Sequence, residues 1–134
     1  MNERLVIIPT YNEKENIRDI LDHVLRLQPG FDVLVVDDGS PDGTAAIVKE
    51  RMITEPDRIH LLERPGKLGL GTAYIAGFKW AIQRGYDFIF EMDADFSHDP
   101  DDLVRLYEAC AVQGTGMSVG SRYVKGGQVK DWSW

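Results

Sequence analysis

The 134-residue sequence contains one cysteine, Cys110. No internal disulfide can form, and a zinc site built from several cysteines and histidines is excluded. Basic charge is also scarce. Fifteen lysines and arginines face 22 aspartates and glutamates, leaving a formal net charge of −7. A dedicated nucleic-acid binder would carry a basic face, so that class is set aside. A few well-placed cations or a metal ion would still suffice to hold a phosphorylated ligand. Long apolar runs are missing too. The stretch after Met1-Asn2-Glu3-Arg4 is too short for a signal peptide or a membrane span. No Gly-x-Gly-x-x-Gly follows it, which argues against a dinucleotide site. Neither a Walker A sequence nor a Gly-x-Ser-x-Gly nucleophile elbow occurs.

What remains is an ordinary globular composition, 43% apolar and 28% charged, which fits a single domain over residues 1–134. Apolar runs alternate with helical patterns, the signature of a mostly parallel sheet covered by helices. Leu5-Val6-Ile7-Ile8 and Val33-Leu34-Val35-Val36 are apolar without alternation, as in strands buried on both faces. Further strands are expected at 59–62, 88–92 and 117–119. Asn12 with Glu15 has capping-box spacing for a first helix, and Ile17, Ile20, Leu21, Val24 and Leu27 fall on one face of it. A second helix is expected from Ser40-Pro41-Asp42, a third over Thr72 to Arg84 after a glycine-rich loop, and a fourth from Asp99-Pro100. Leu103, Leu106, Tyr107 and Cys110 would form its apolar face, with Cys110 a small core residue.

Ligands of open parallel sheets bind beyond the carboxyl ends of the strands. Polar clusters stand at those ends: Pro9-Thr10-Tyr11-Asn12-Glu13, Asp37-Asp38-Gly39-Ser40, Asp93-Ala94-Asp95 and Ser121-Arg122-Tyr123. Asp93 and Asp95 are hard oxygen ligands suited to Mg²⁺ or Mn²⁺ bridging to substrate phosphates. Asp95 could instead cap the fourth helix, although Asp99-Pro100 already supplies a cap. Asp37 and Asp38 can accept hydrogen bonds from a base or ribose, or can belong to a turn with Gly39 and Ser40. Lys67 and Arg122 are candidate phosphate partners or solvated surface groups. His98 suits a metal-site role or a simple helix-start contact.

These clusters resemble family 2 glycosyltransferases, and most closely the dolichyl- or polyprenyl-phosphate mannose synthases. The matching blocks are Ile8–Glu13, Val35–Thr44, Lys67–Ala73, Met92–His98 and Gly120–Tyr123. They follow the family's order and span nearly the whole chain. The family often has glutamine where this chain has Ser97. The resemblance implies a GT-A fold, an α/β architecture with helices on both faces of the sheet. It implies an inverting, metal-dependent transfer of mannose from GDP-mannose to a dolichyl or polyprenyl phosphate. By resemblance, Pro9, Tyr11 and Glu13 line the nucleotide pocket with Asp37 and Asp38 beside them. Lys67, Asp93 and Ala94 contact the nucleotide-sugar, Asp93 and Asp95 hold Mg²⁺ or Mn²⁺, and Asp95 and Arg122 serve catalysis at the diphosphate.

Family catalytic domains continue past the position of Trp134, so the chain is expected to be the N-terminal, donor-binding part. Trp132 and Trp134 suit a segment that meets a partner surface. A cytoplasmic enzyme, peripheral at the membrane face, follows from a lipid acceptor, with a homo-oligomer or a membrane-anchoring partner as candidate associates. Rival readings are a transfer from UDP-glucose, an inactive nucleotide-binding fragment, and a haloacid-dehalogenase-type phosphohydrolase. The last places its Asp-x-Asp after the first strand, whereas here the pair follows the fourth.

Overall fold

The computed structural model describes residues 3–66, 68–95 and 99–113. Strands β1 (Arg4–Thr10), β2 (Asp32–Asp37), β3 (Ile59–Glu63) and β4 (Phe88–Glu91) alternate with helices α1 (Ile17–Leu25), α2 (Thr44–Thr54), α3 (Leu70–Gln83) and α4 (Asp102–Gln113). All strand pairings are parallel, in the order β3-β2-β1-β4. The expected fifth strand at 117–119 lies outside the described residues.

That order follows from chirality. Parallel crossovers are right-handed, so a chain that steps from β1 to β2 to β3 lays its connecting helices on one face. Returning past β1 to form β4 reverses the direction, and α3 falls on the other face. The unalternating strands serve both layers. Val6, Ile8, Val33 and Val35 pack with Ile17, Ile20, Leu21 and Val24 of α1, Val48 of α2, and Leu103 and Leu106 of α4. Leu5, Ile7, Leu34 and Val36 pack with Ala73, Tyr74 and Ala81 of α3. Fully burying each such aliphatic side chain contributes roughly 1.5–3 kcal/mol. Gly77 sets the depth of α3. A Cβ there would lie 2.7 Å from Ile7 Cγ2, closer than packed carbons can approach.

All four helix starts differ from expectation, the fourth because residues 100–101 form a turn ahead of α4, which begins at Asp102. Helix α1 begins at Ile17 after Asn16, not after Asn12. Asn12 sits in the left-handed region at φ 58°, and its backbone N–H donates to Ser40 Oγ at 2.9 Å. A long-range partner thus takes the place of a capping box. Helix α2 begins at Thr44, after Gly43 at φ 92°, because Asp42 Oδ1 accepts the Thr44 N–H at 3.0 Å and its Oδ2 accepts that of Lys14 at 3.0 Å. Helix α3 starts earlier than expected and takes Leu70 and Gly71 from the glycine-rich loop into its first turn. Asp99 closes the turn that leads into α4 rather than its first helical turn: its Oδ1 accepts the Asp101 N–H at 2.9 Å and its carbonyl accepts the Asp102 N–H at 2.9 Å.

Candidate functional site

The chain reverses direction between β1 and β4, and a doubly wound sheet opens a crevice at such a point. A cleft of about 300 Å³ lies there. The segment after β1 contributes Pro9, Thr10, Tyr11 and Glu13, and the segment after β4 contributes Asp93, Ala94 and Asp95. Asp38 enters from the end of β2, and Leu70 and Ala73 from the start of α3. Three of the four polar clusters at the strand ends therefore share one rim. Arg122 of the fourth, together with Lys67, Ser97 and His98, lies outside the described residues.

The loops after β1 and β2 are stitched together. Besides the Asn12–Ser40 bond, the Glu13 N–H donates to Thr44 Oγ1 at 3.1 Å. These bonds hold Tyr11 and Glu13 at the rim, with Tyr11 38% exposed.

The adjacent acids Asp37 and Asp38 have different surroundings. Asp37 is 1% exposed and is absent from the cleft lining. Its carboxylate accepts from Thr10 Oγ1 at 2.6 Å, from Ser40 Oγ at 2.6 Å and from the Ser40 N–H at 3.0 Å. It braces the turn one layer behind Thr10. Asp38 lines the cleft but is held in a bidentate fork by Arg64, with Nε–Oδ1 at 2.6 Å and Nη2–Oδ2 at 2.8 Å. Both side chains are about nine-tenths buried. Arg64 also donates to Thr72 Oγ1 at 3.0 Å and to the Gly69 carbonyl at 3.2 Å, while Asp38 accepts the Leu68 N–H at 3.3 Å. Gly39 adopts φ 68°, and a Cβ there would press on the Pro65 carbonyl at 3.3 Å. The pair thus fastens the glycine-rich loop to the end of β2.

Asp93 and Asp95 both line the cleft, while the Ala94 side chain turns into the core beneath the helices. Ala94 can therefore offer a ligand its backbone. Asp93 Oδ1 accepts a hydrogen bond from the Tyr74 hydroxyl at 3.0 Å. Burial pushes the Glu13 carboxyl above its usual range, and the charges of Asp95, Asp42 and Asp93 push the same way. The Asn16 side-chain amide opposes them.

Among the described lining residues are four carboxylates and no basic side chain, with Arg64 matching one of them from behind. Such a rim repels a diphosphate unless a cation intervenes. Mg²⁺ is commonly held by one or two carboxylates together with substrate phosphates, which fits Asp93 and Asp95. A separate group, His23, Asp99 and Asp101, brings ligand atoms within 4.8 Å of one another, but none of them lines the cleft. His23 is in the last turn of α1 and Asp101 stands just before α4, and their side chains meet at 2.8 Å.

Sequence reasoning passed over Thr10, Leu70, Ala73, Arg64 and Tyr74 as site residues. Thr10, Leu70 and Ala73 lie inside the quoted blocks, so their signal was present. Arg64 and Tyr74 act through residues far away in sequence, and no local pattern marks them.

No helix among the described residues is long and apolar enough to cross a membrane. The family model for glycosyl transferase family 2 matches residues 5–134. The chain is 52% identical over 130 residues to polyprenol monophosphomannose synthase of Mycolicibacterium smegmatis, covering 97% of this chain and 49% of that protein. It is 40% identical to dolichol-phosphate mannosyltransferase of Pyrococcus furiosus, covering 95% of this chain and 35% of the relative. The chain thus spans about half the length, or less, of these curated relatives. Among solved structures, mannosyltransferase PcManGT from Pyrobaculum calidifontis, in complex with GDP-Man and Mn²⁺, superposes with a TM-score of 0.53 at 32% identity, over 58% of this chain and 24% of that one. S. aureus TarS shares the fold with a TM-score of 0.65 at 23% identity, over 83% of this chain and 32% of its own. With its parallel sheet, its cleft at the reversal point and these relatives, the chain belongs to glycosyl transferase family 2.

Proposed function

We propose that these residues form the donor side of a mannosyltransferase that moves mannose from GDP-mannose to a polyprenyl or dolichyl phosphate. The observation that carries the reading is the carboxylate-lined cleft at the β1–β4 reversal, which calls for an anionic ligand brought in with a divalent cation. The relatives' names, and the GDP-Man and Mn²⁺ of the Pyrobaculum structure, support mannose, guanine and a divalent ion, Mg²⁺ or Mn²⁺.

In this reading Pro9, Thr10, Tyr11 and Glu13 flank the nucleotide, and Leu70 and Ala73 form an apolar wall. Asp93 and Asp95 would hold the ion. When bound, a divalent cation offsets charge building on the leaving diphosphate. An oxygen of the lipid phosphate forms the new bond to the anomeric carbon as the bond to GDP breaks, and GDP departs with the electron pair. That oxygen is anionic at neutral pH, so none of these residues need act as a strong base. The chain's task is to position the donor. Lys67 and Arg122 are proposed as phosphate partners, and Asp37 as the brace behind the pocket. The lipid acceptor places the work at a membrane face, with the protein held there peripherally.

Calorimetry with GDP, with and without Mn²⁺, tests this reading. Expected is Mn²⁺-dependent GDP binding that falls to the Mn²⁺-free level in Asp95→Asn, because a ligand of the ion is neutralised. GDP affinity indifferent to Mn²⁺ and to Asp95 would remove the ion from the site. Tighter binding of UDP than of GDP would overturn the choice of base.

A further inference from the structure

The hydroxyl of Tyr74 is a polar group in an otherwise apolar place. Tyr74 is 2% exposed and its ring packs in the α3-side core with Leu5, Ile7 and Ile89. Phenylalanine would satisfy that packing equally. The hydroxyl instead reaches across from α3 to the segment after β4 and donates to Asp93 Oδ1 at 3.0 Å. Nothing in the fold needs α3 tied to that segment by a polar bond, because Ala73, Tyr74 and Ala81 already anchor the helix on apolar contacts.

We propose that Tyr74 is a positioning residue that orients the Asp93 carboxylate for a divalent cation. A carboxylate at a strand end rotates about two side-chain bonds, and that freedom must be given up when an ion binds. A hydroxyl fixed by a buried ring holds one oxygen in place beforehand and defines the plane in which the carboxylate meets the ion. Partners of this kind commonly set ligand orientation, and their loss costs about 10–100-fold in metal affinity. The start of α3 contributes Leu70 and Ala73 to the cleft wall, so one rigid helix places both the wall and the carboxylate. The inference rests on the donor-site reading, in which Asp93 and Asp95 hold the ion.

The test is Tyr74→Phe in the 134-residue chain. Mn²⁺ binding would be followed by electron paramagnetic resonance, and GDP binding by calorimetry with and without Mn²⁺. Tyr86→Phe is the control. Tyr86 also donates to a carboxylate, Asp32, at 2.7 Å, yet does not line this cleft. Expected is roughly tenfold weaker Mn²⁺ binding in Tyr74→Phe, unchanged Mn²⁺-free GDP affinity, and no change of Mn²⁺ affinity in Tyr86→Phe. If Asp95→Asn abolishes Mn²⁺ binding while Tyr74→Phe leaves it intact, the positioning role is wrong and the donor site stands. If the two Tyr→Phe variants lose Mn²⁺ affinity alike, or Tyr74→Phe loses metal-free GDP binding as well, Tyr74 is merely structural. If the parent chain binds neither Mn²⁺ nor GDP, the donor-site reading itself has failed.

Discussion

The two ends of the sheet are both rich in acids but treat them differently. At the amino end, Asp32 accepts from the Tyr86 hydroxyl at 2.7 Å and lies 3.8 Å from Arg58 Nε. The Arg84 guanidinium covers the Trp80 ring at 4.3 Å. Arginines there sit among aspartates around a second, open cleft lined by Asp32, Asp57, Arg58, His60 and Arg84. At the carboxyl end, Glu13, Asp93 and Asp95 share a rim with no basic side chain among the described lining residues. The amino end pairs its acids with arginines, whereas the described carboxyl-end rim leaves its charges facing the cleft, as the proposed cation site requires.

The largest effect that can break this contrast should come from the clamp behind the rim. Arg64→Ala leaves the Asp38 carboxylate buried without a countercharge, its remaining partner being the Leu68 N–H at 3.3 Å, and urea melts should show a loss of about 3 kcal/mol. A loss below about 1 kcal/mol would class the pair with exposed surface bridges and undo its role as a fastener. Smaller is Tyr86→Phe at the amino end. Removing a hydrogen bond to a carboxylate there should cost about 1.5 kcal/mol and leave GDP affinity untouched; a change in GDP affinity would couple the two ends.

Smallest, and most diagnostic, are the opposing pH dependences. Glu13 has a raised carboxyl pKa, so its contribution to stability is full below its ordinary 4.5 and is lost as pH rises through the raised value. Glu13→Gln should flatten that decline in thermal melts, and so should Mn²⁺. His60 runs the other way. Burial depresses its pKa below 6.5, helped by Arg84 and opposed by Asp32. Its contribution is present above 6.5 and is lost as pH falls through the depressed value. His60→Gln should remove that loss. Equal slopes in parent and variants would show that neither group senses its end of the sheet.

Much of the architecture was legible in the sequence because periodicity is a local property with a global consequence. Val6 and Ile7 face opposite layers, as an unalternating run requires, and Ile17 to Val24 face inward as their spacing predicts. The starts of α1 and α2 were misplaced because Asn12, Asp42 and Ser40 form bonds across loops that no window of sequence contains. The site was legible as clusters of residue types. What the sequence could not rank was Asp37 against Asp38. Neighbouring carboxylates look alike on paper, yet one braces a turn from inside and the other is forked by an arginine 26 positions away. Tyr74 was invisible for the same reason, since its partner stands 19 residues later.

Gly77 and Ile7 occupy, in effect, one parcel of space. Any bulk gained at the helix must be surrendered by the strand, or the whole helix lifts like a floorboard over a pebble. Because Leu70, Ala73 and Tyr74 ride on that board, the tolerance of the cleft is set by a hydrogen atom about one turn beyond Ala73 in its wall.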